Sequence, residues 1–266
     1  MKVLLTNDDG ISASGIQAMR RALQGIDGLE VDLIAPDSNR SATARSITTR
    51  VPLWVQRIEH EDGFVGYATD GTPVDCVRFA LLGLLGDPPD MIVSGINHGS
   101  NLGDDVTYSG TVAAALEGVV YDIPAIAVSQ QWKAGEMGYR SGDFDFRVAA
   151  GFTAELVEKT ISEGLPRETL LNVNCPAVPP KGVAVSHLGK RIYKDELKQV
   201  GEEGARRQYE IYGYDASFHD DEGSDLNAVH EGLISVTPLH FDLTDRTGFD
   251  LLRGWGLEGL LEGLDR

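Results

Sequence analysis

Apolar residues recur along the chain in blocks of two kinds. Val3 to Thr6 is a short continuous apolar run, the mark of a strand buried on both faces. After a turn at Gly10, Ile16, Met19, Leu23 and Ile26 recur at helical spacing, and "VDLIAP" (31–36) is a second strand. Strand, helix, strand with a crossover of this length gives a parallel pair. "VPLWVQRI" (51–58) and "GFVGYAT" (63–69), joined by "HEDG", predict an antiparallel excursion. "GTPVDC" (71–76) opens a helix, with Thr72 as N-cap, Pro73 in the first turn and Asp75 closing a capping box, and the helix is expected to run to about Leu85. "DMIVSG" (90–95), "IPAIAVS" (123–129) and "LLNVNCP" (170–176) read as further strands. "TVAAALEGVV" (111–120) and residues 144–161 read as helices, the first small-sided and suited to close packing on a sheet.

This alternation predicts an α/β fold, a doubly wound and mostly parallel Rossmann-like sheet, over residues 1–176. Residues 177–266 read as a C-terminal extension that does not fold independently. It has strands at 181–189 and 232–239, a polar acidic stretch at 194–231 without a clear period, and a last helix capped by Thr244 or Asp245.

Composition changes this picture in two ways. Of 266 residues, 42% are hydrophobic and 24% charged, as in ordinary globular proteins, but the net charge is −18. That disfavours nucleic acid and anionic membrane as partners, and an anionic substrate would need local help from a cation or from backbone N–H groups. Cys76 and Cys175 are far apart and have no metal-ligand spacing. With no signal-peptide pattern and no run of about 18 apolar residues, the expectation is a cytoplasmic protein without a membrane span.

In an open α/β sheet, ligands bind beyond the carboxyl ends of the strands. Three polar loops are expected there: "NDDG" after the first strand, "DSNRSATARS" after the second, and "INHGSNLGDDVTYSG" (96–110). Asp8 and Asp9 can turn the chain and cap a helix, or hold a hard cation that takes oxygen ligands. Without a cation, adjacent carboxylates repel, and one of the two should titrate with a raised pKa. Asn97 and Asn101 stand on a glycine-rich loop, where Asx turns are their ordinary use. His98 reads as a plain loop histidine. Ser109, Gly110 and Thr111 open a helix, where Ser109 serves as an N-cap or the three together seat a phosphate. The six histidines lack zinc spacing, and neither a G-x-x-x-x-G-K-[ST] loop nor a G-x-G-x-x-G turn is present. The strand ends "VSGIN" and "AVSQQ" do not fit a phosphoacceptor domain.

Taken in order, "LLTNDDG", "APDSNRSATARSIT", "GTPVDC", "IVSGINHGSNLGDDVTYSGTVAAALEG", "IPAIAVS" and "LNVNCP" resemble the SurE family of stationary-phase survival proteins, which are metal-dependent nucleotidases. The resemblance covers residues 1–176 and resumes at 226–244. It implies hydrolysis of nucleoside 5′- and 3′-monophosphates in the cytoplasm, with one Mg2+ or Mn2+ per subunit. It implies metal ligation by Asp8, Asp9, Ser41 and Asn97, and substrate or phosphate binding by Asn97, Asn101, Ser109, Gly110 and Thr111. It implies homodimers or tetramers that exchange C-terminal segments. Asp8 or Asp9 would orient the attacking water, with a direct carboxylate nucleophile ranked second. A non-catalytic nucleotide-binding protein and a broad acid phosphatase are the rival readings. The family has an aromatic-rich stretch where this chain keeps Tyr209, Tyr212 and Tyr214 in an acidic setting.

Overall fold

A computed structural model describes residues 1–133, 144–194, 196–211 and 217–261. The strands are β1 (Lys2–Thr6), β2 (Glu30–Pro36), β3 (Val55–Glu59), β4 (Val65–Thr69), β5 (Met91–His98), β6 (Ala125–Gln130) and β7 (Thr169–Cys175). The C-terminal part adds β8 (Val183–Val185), β9 (Arg191–Ile192), β10 (Lys198–Glu203), β11 (Arg206–Glu210), β12 (Ser217–Phe218) and β13 (Ile234–His240). The helices are α1 (Ser14–Gln24), α2 (Pro73–Leu81), α3 (Gly110–Val120), α4 (Arg147–Glu163), α5 (Asp225–His230) and α6 (Gly248–Arg253).

Nine strands form one sheet in the order β3-β4-β2-β1-β5-β6-β7-β13-β8. From β4 to β7 all neighbours are parallel, whereas β3 and β13 run antiparallel to β4 and β7. The side-chain alternation of β1 divides the core. Val3 and Leu5 face Ile16, Met19 and Leu23 of α1 and Ala149 and Val157 of α4. Leu4 faces Val77 and Ala80 of α2 and Val112 and Ala115 of α3. Because both faces are covered, the parallel strands carry continuous apolar runs, such as residues 33–35 and 91–93, rather than strict alternation. The sheet is therefore doubly wound, as the alternation of elements predicts. Its strand order reverses at β1, which has β2 on one side and β5 on the other. The crevice beyond the carboxyl ends of β1 and β5 is the topological switch point, where such sheets bind ligands.

Thr72 caps α2 as predicted, accepting from the Asp75 N–H while Asp75 closes the capping box. The helix ends four residues short of the expected Leu85 because Gly83 and Gly86 take φ of +90° and +91°. β5 continues past the expected Gly95 to His98 by means of a bulge: Ser94 pairs with Ala127 but Asn97 pairs with Ser129, so β5 carries one extra residue. Gly95, at φ +133°, is required there, since a Cβ would lie 2.3 Å from the Val128 carbonyl oxygen.

The unplaced stretch after residue 194 contains the β10–β11 hairpin, a separate two-stranded sheet, and α5, which packs through Leu226 and Val229 against Leu102 and Phe218. β13 then returns to the main sheet between β7 and β8. The last helix begins later than predicted. Its N-cap is Thr247, without a side-chain cap bond, and Asp245 instead accepts from the Thr247 N–H and hydroxyl one turn earlier. Neither α6 nor the 3-10 turn at Leu257–Leu260 has a buried residue. Tyr209 lies exposed on β11, while Tyr212 and Tyr214 fall outside the described residues. No described helix is long and apolar enough to cross a membrane.

Candidate active site

The turn after β1 is made by Asn7 and Gly10. The Asn7 amide donates to the Gly10 carbonyl at 3.0 Å and accepts from the Gly10 N–H at 3.1 Å, and Gly10 has φ +103°. α1 then starts behind Ala13 without a side-chain cap. Turning the chain and capping the helix are thus accounted for without Asp8 or Asp9.

Those two carboxyls gather three segments instead. Asp8 is 2% exposed, and its Oδ1 accepts from the Thr111 hydroxyl at 2.6 Å. Its backbone carbonyl accepts from the Arg40 N–H at 2.6 Å, which lays the loop after β2 across the site. Asp9, half-buried, accepts from the His98 N–H at 3.0 Å and from the Asn39 amide at 3.3 Å. A raised carboxyl pKa is found, as expected, and it belongs to the pair: both carboxyls are pushed above the ordinary carboxylate range. Burial is the main cause for each, and repulsion from Asp9 adds to it for Asp8. The Thr111 and His98 bonds offset only part of the penalty. No three His, Cys, Asp or Glu side chains converge among the described residues, so any cation here must draw on neutral oxygens as well.

Two residues with such oxygens adjoin the segments that bond to the pair. Asn97 is buried at the end of β5; its Nδ2 donates to the Gly99 carbonyl at 2.8 Å, whereas its Oδ1 is buried without a hydrogen-bond partner among the described residues. Ser41 is half-buried, two residues beyond Asn39, whose Oδ1 accepts the Ser41 N–H at 2.8 Å. α3 points its N-terminus at Asp8. The Ser109 hydroxyl caps it by accepting from the Val112 N–H at 3.1 Å. Gly110 fits because a Cβ there would come within 2.8 Å of the Asp8 Cβ. The Thr111 hydroxyl is committed to Asp8, which leaves the Gly110 N–H and the Ser109 O–H to face an anion.

Asn101 stands apart from this group. Its Nδ2 donates to the Ser129 hydroxyl at 2.7 Å and its N–H to Asn174 Oδ1 at 2.8 Å, while its carbonyl accepts from the amides of Asn172 and Asn174. These strand-end residues, together with Asn39 and the backbone of His98, were missed in the sequence. "NVN" in β7 was the available signal: two amides on one face of an otherwise apolar central strand have to satisfy something. The His98 ring is stacked on Phe144 and Phe146 at 4.9 and 5.0 Å, and its Nε2 accepts the Gly15 N–H at 3.3 Å. Burial lowers its pKa, against a smaller opposing pull from Asp8.

Fold and site together define a doubly wound α/β protein with a buried acidic pair at its switch point, facing a helix N-terminus. Residues 3–195 match the family model described as Survival protein SurE. The chain belongs to the SurE family. It is 46% identical over 269 residues to the 5′-nucleotidase SurE of Rubrobacter xylanophilus, covering 98% of this chain and 99% of that one. It is 46% identical over 259 residues to the 5′-nucleotidase SurE of Symbiobacterium thermophilum, covering 96% and 98%. The crystal structure of the SurE protein from Aquifex aeolicus superposes with a TM-score of 0.79 at 38% identity, covering 96% of this chain and 99% of that one.

Proposed function

We propose that this chain hydrolyses nucleoside 5′- and 3′-monophosphates to nucleoside and phosphate, using one divalent cation, Mg2+ or Mn2+, per subunit. The observation that carries this reading is the pair Asp8 and Asp9: one buried and one half-buried carboxyl, both raised above the ordinary carboxylate range, with no basic group among the causes of either shift. The unpaired Asn97 Oδ1 beside them is a third donor in want of a partner. All are hard oxygen donors, the chemistry that suits Mg2+ or Mn2+. The holding set is Asp8, Asp9, the Ser41 hydroxyl and Asn97 Oδ1.

A bound divalent cation supplies Lewis-acid polarisation of the phosphoryl group and lowers the pKa of water. The chain's own groups do the rest. Thr111 fixes Asp8, and the His98 N–H and the Asn39 amide fix Asp9, so both carboxylates are aimed before substrate arrives. One of the two accepts or orients the proton of the attacking water. The Gly110 N–H and Ser109 hydroxyl meet the charge that spreads over the phosphoryl oxygens. Asn101, braced by Ser129, Asn172 and Asn174, is the remaining substrate-binding residue of the set.

Residues 1–176 form the site-bearing core and 177–266 the extension, which is tied back through β13 and is not a separate folding unit. The exposed Leu251, Leu252, Trp255 and Leu257 of the terminal segment support assembly with further copies, as dimer or tetramer. The two free buried cysteines support a reducing, cytoplasmic setting. The test is phosphate release from 5′-AMP and 3′-AMP with Mn2+ or Mg2+, with and without chelator. Turnover that chelator abolishes is expected. Nucleotide binding without turnover in either metal would refute the enzyme reading. Equal turnover of unrelated phosphomonoesters at acid pH would mark a broad phosphatase instead.

A further inference from the structure

The loop that carries Ser41 has no helix or strand between residues 37 and 49. Ala42 and Ala44 take φ of 58° and 51°, left-handed conformations that are unfavourable for alanine. Such a segment does not keep its shape alone, and tertiary ties must impose it. Its ends are held by Asp37 on the Thr69 carbonyl and by Thr48 on the Asp75 carboxyl. Around Ser41 itself, two ties are backbone bonds: the Arg40 N–H to the Asp8 carbonyl at 2.6 Å and the Ala44 N–H to the Tyr108 carbonyl at 3.1 Å. A further tie is ionic. Arg45 Nη2 donates to Glu117 Oε2 at 2.6 Å, and the other oxygen of Glu117 accepts from Arg78 Nε at 2.8 Å. Glu117 is only 1% exposed.

Glu117 lies on α3, two turns beyond Ser109, Gly110 and Thr111. The Arg45–Glu117 pair therefore joins the Ser41 loop to the helix that holds Asp8. The Arg45 guanidinium also lies over the Phe241 ring, 4.5 Å from its centre. Phe241 is the first residue after β13, where the chain leaves the sheet for the exposed terminal segment. A buried ion pair contributes little net stability, because desolvation offsets its attraction. What such a pair supplies is a fixed geometry between the elements it joins.

We infer that Arg45 and Glu117 are positioning residues for the cation site, setting the Ser41 loop against α3, and that Phe241 makes the seating of the C-terminal segment part of the same clamp. This rests on Ser41 being a cation ligand, as proposed above. The clamp touches neither the cation nor the substrate and acts through the loop.

The test uses full-length metal-free protein titrated with Mn2+ by calorimetry, together with amide exchange at Arg40 and Ala44. Glu117→Gln and Arg45→Met weaken Mn2+ binding about tenfold, as loss of supporting partners does at metal sites. In both variants the Arg40 and Ala44 amides exchange faster. Phe241→Ala shows the same two effects with a smaller amplitude, and Arg45→Lys recovers part of the affinity. Arg20→Met is the control: Arg20 is 3% exposed, pairs with Asp62 at 2.7 Å and lies over Phe64, so its loss destabilises the chain without touching the loop. Unchanged Mn2+ affinity and unchanged amide exchange in Arg45→Met and Phe241→Ala would overturn the inference, even if Glu117→Gln fails to fold. Wild type that binds no Mn2+ would instead remove Ser41 from its proposed role, and amide exchange alone would then decide the clamp.

Discussion

Asp8→Asn isolates the cost of burying the acidic pair without a cation. The substitution keeps size and shape, and the new amide oxygen still accepts the Thr111 hydroxyl that Asp8 Oδ1 accepts at 2.6 Å. What it removes is a fully buried charge. The folded value of the Asp8 carboxyl is about 6 against 3.8 for a free aspartate. The folded chain therefore binds more protons than the unfolded chain between about pH 4 and 6, and metal-free stability falls as pH rises through that window. A lift of about two pH units, at ~1.4 kcal/mol each, makes the ionised group cost roughly 3 kcal/mol at pH 7.5. In excess chelator at pH 7.5, Asp8→Asn should exceed wild type by about 2–3 kcal/mol in denaturant unfolding, at matched protein concentration. At pH 4 the gap should shrink to about 0.5 kcal/mol, because Asp8 is then protonated in the folded chain and the unfolded carboxyl is little more than half ionised. Mn2+ at a hundred times its Kd should return about 2.7 kcal/mol to wild type and nothing to the variant. A variant less stable than wild type at pH 7.5 in chelator would refute the argument, for it would mean that Asp8 is already compensated in the metal-free fold.

Gly110→Ala should lower kcat by about a hundredfold while unfolding stays cooperative, since its Cβ would sit 2.8 Å from the Asp8 Cβ and displace the carboxylate; steady-state phosphate release measures this. Asn97→Ala should raise the Mn2+ Kd at least tenfold in calorimetry and cost about 1 kcal/mol of metal-free stability, through loss of the bond to the Gly99 carbonyl. Cys76 and Cys175 are fully buried, and burial pushes both thiols up, Cys175 to about 12. A thiol-specific chromophore at pH 8 should therefore report no reactive thiol in the native chain and both after unfolding.

Elements whose signals are local were legible in the sequence, and those fixed by distant partners were not. Thr72, Pro73 and Asp75 specify the start of α2 within four residues. Its end was misread because "LLGLLG" continues the apolar pattern, and only the positive φ of Gly83 and Gly86 breaks it, leaving Leu82 82% exposed. A glycine misled in the opposite sense at Gly95, which looks like a strand terminator but carries a bulge inside β5. β10 and β11 are exposed along nearly their whole length, so they show no alternation, and backbone pairing alone defines them. The place of β13 between β7 and β8 depends on pairings about 50 to 70 residues apart, which no local pattern encodes.

The site shows the same division at finer scale. Asp8, Asp9, Asn97 and the Ser109–Thr111 helix start stand out as polar residues at strand and helix ends, and the switch-point topology brings those ends together. The origin of the strain on the aspartates was less legible. Adjacency in "NDDG" points to mutual repulsion, whereas burial is the larger cause, and burial is a property of the packed fold. The turn and cap duties that would have explained the pair away fall to Asn7, Gly10 and Ala13. The consequence is electrostatic. A chain of net charge −18 keeps two of its carboxyls at the proposed phosphate site, beside a helix N-terminus already partly occupied by Asp8. The Gly110 N–H and Ser109 hydroxyl alone cannot reverse the sign of that field for a dianionic ligand. On the proposed reading, a divalent cation on Asp8 and Asp9 would neutralise the pair and turn the largest obstacle to phosphate binding into its anchor.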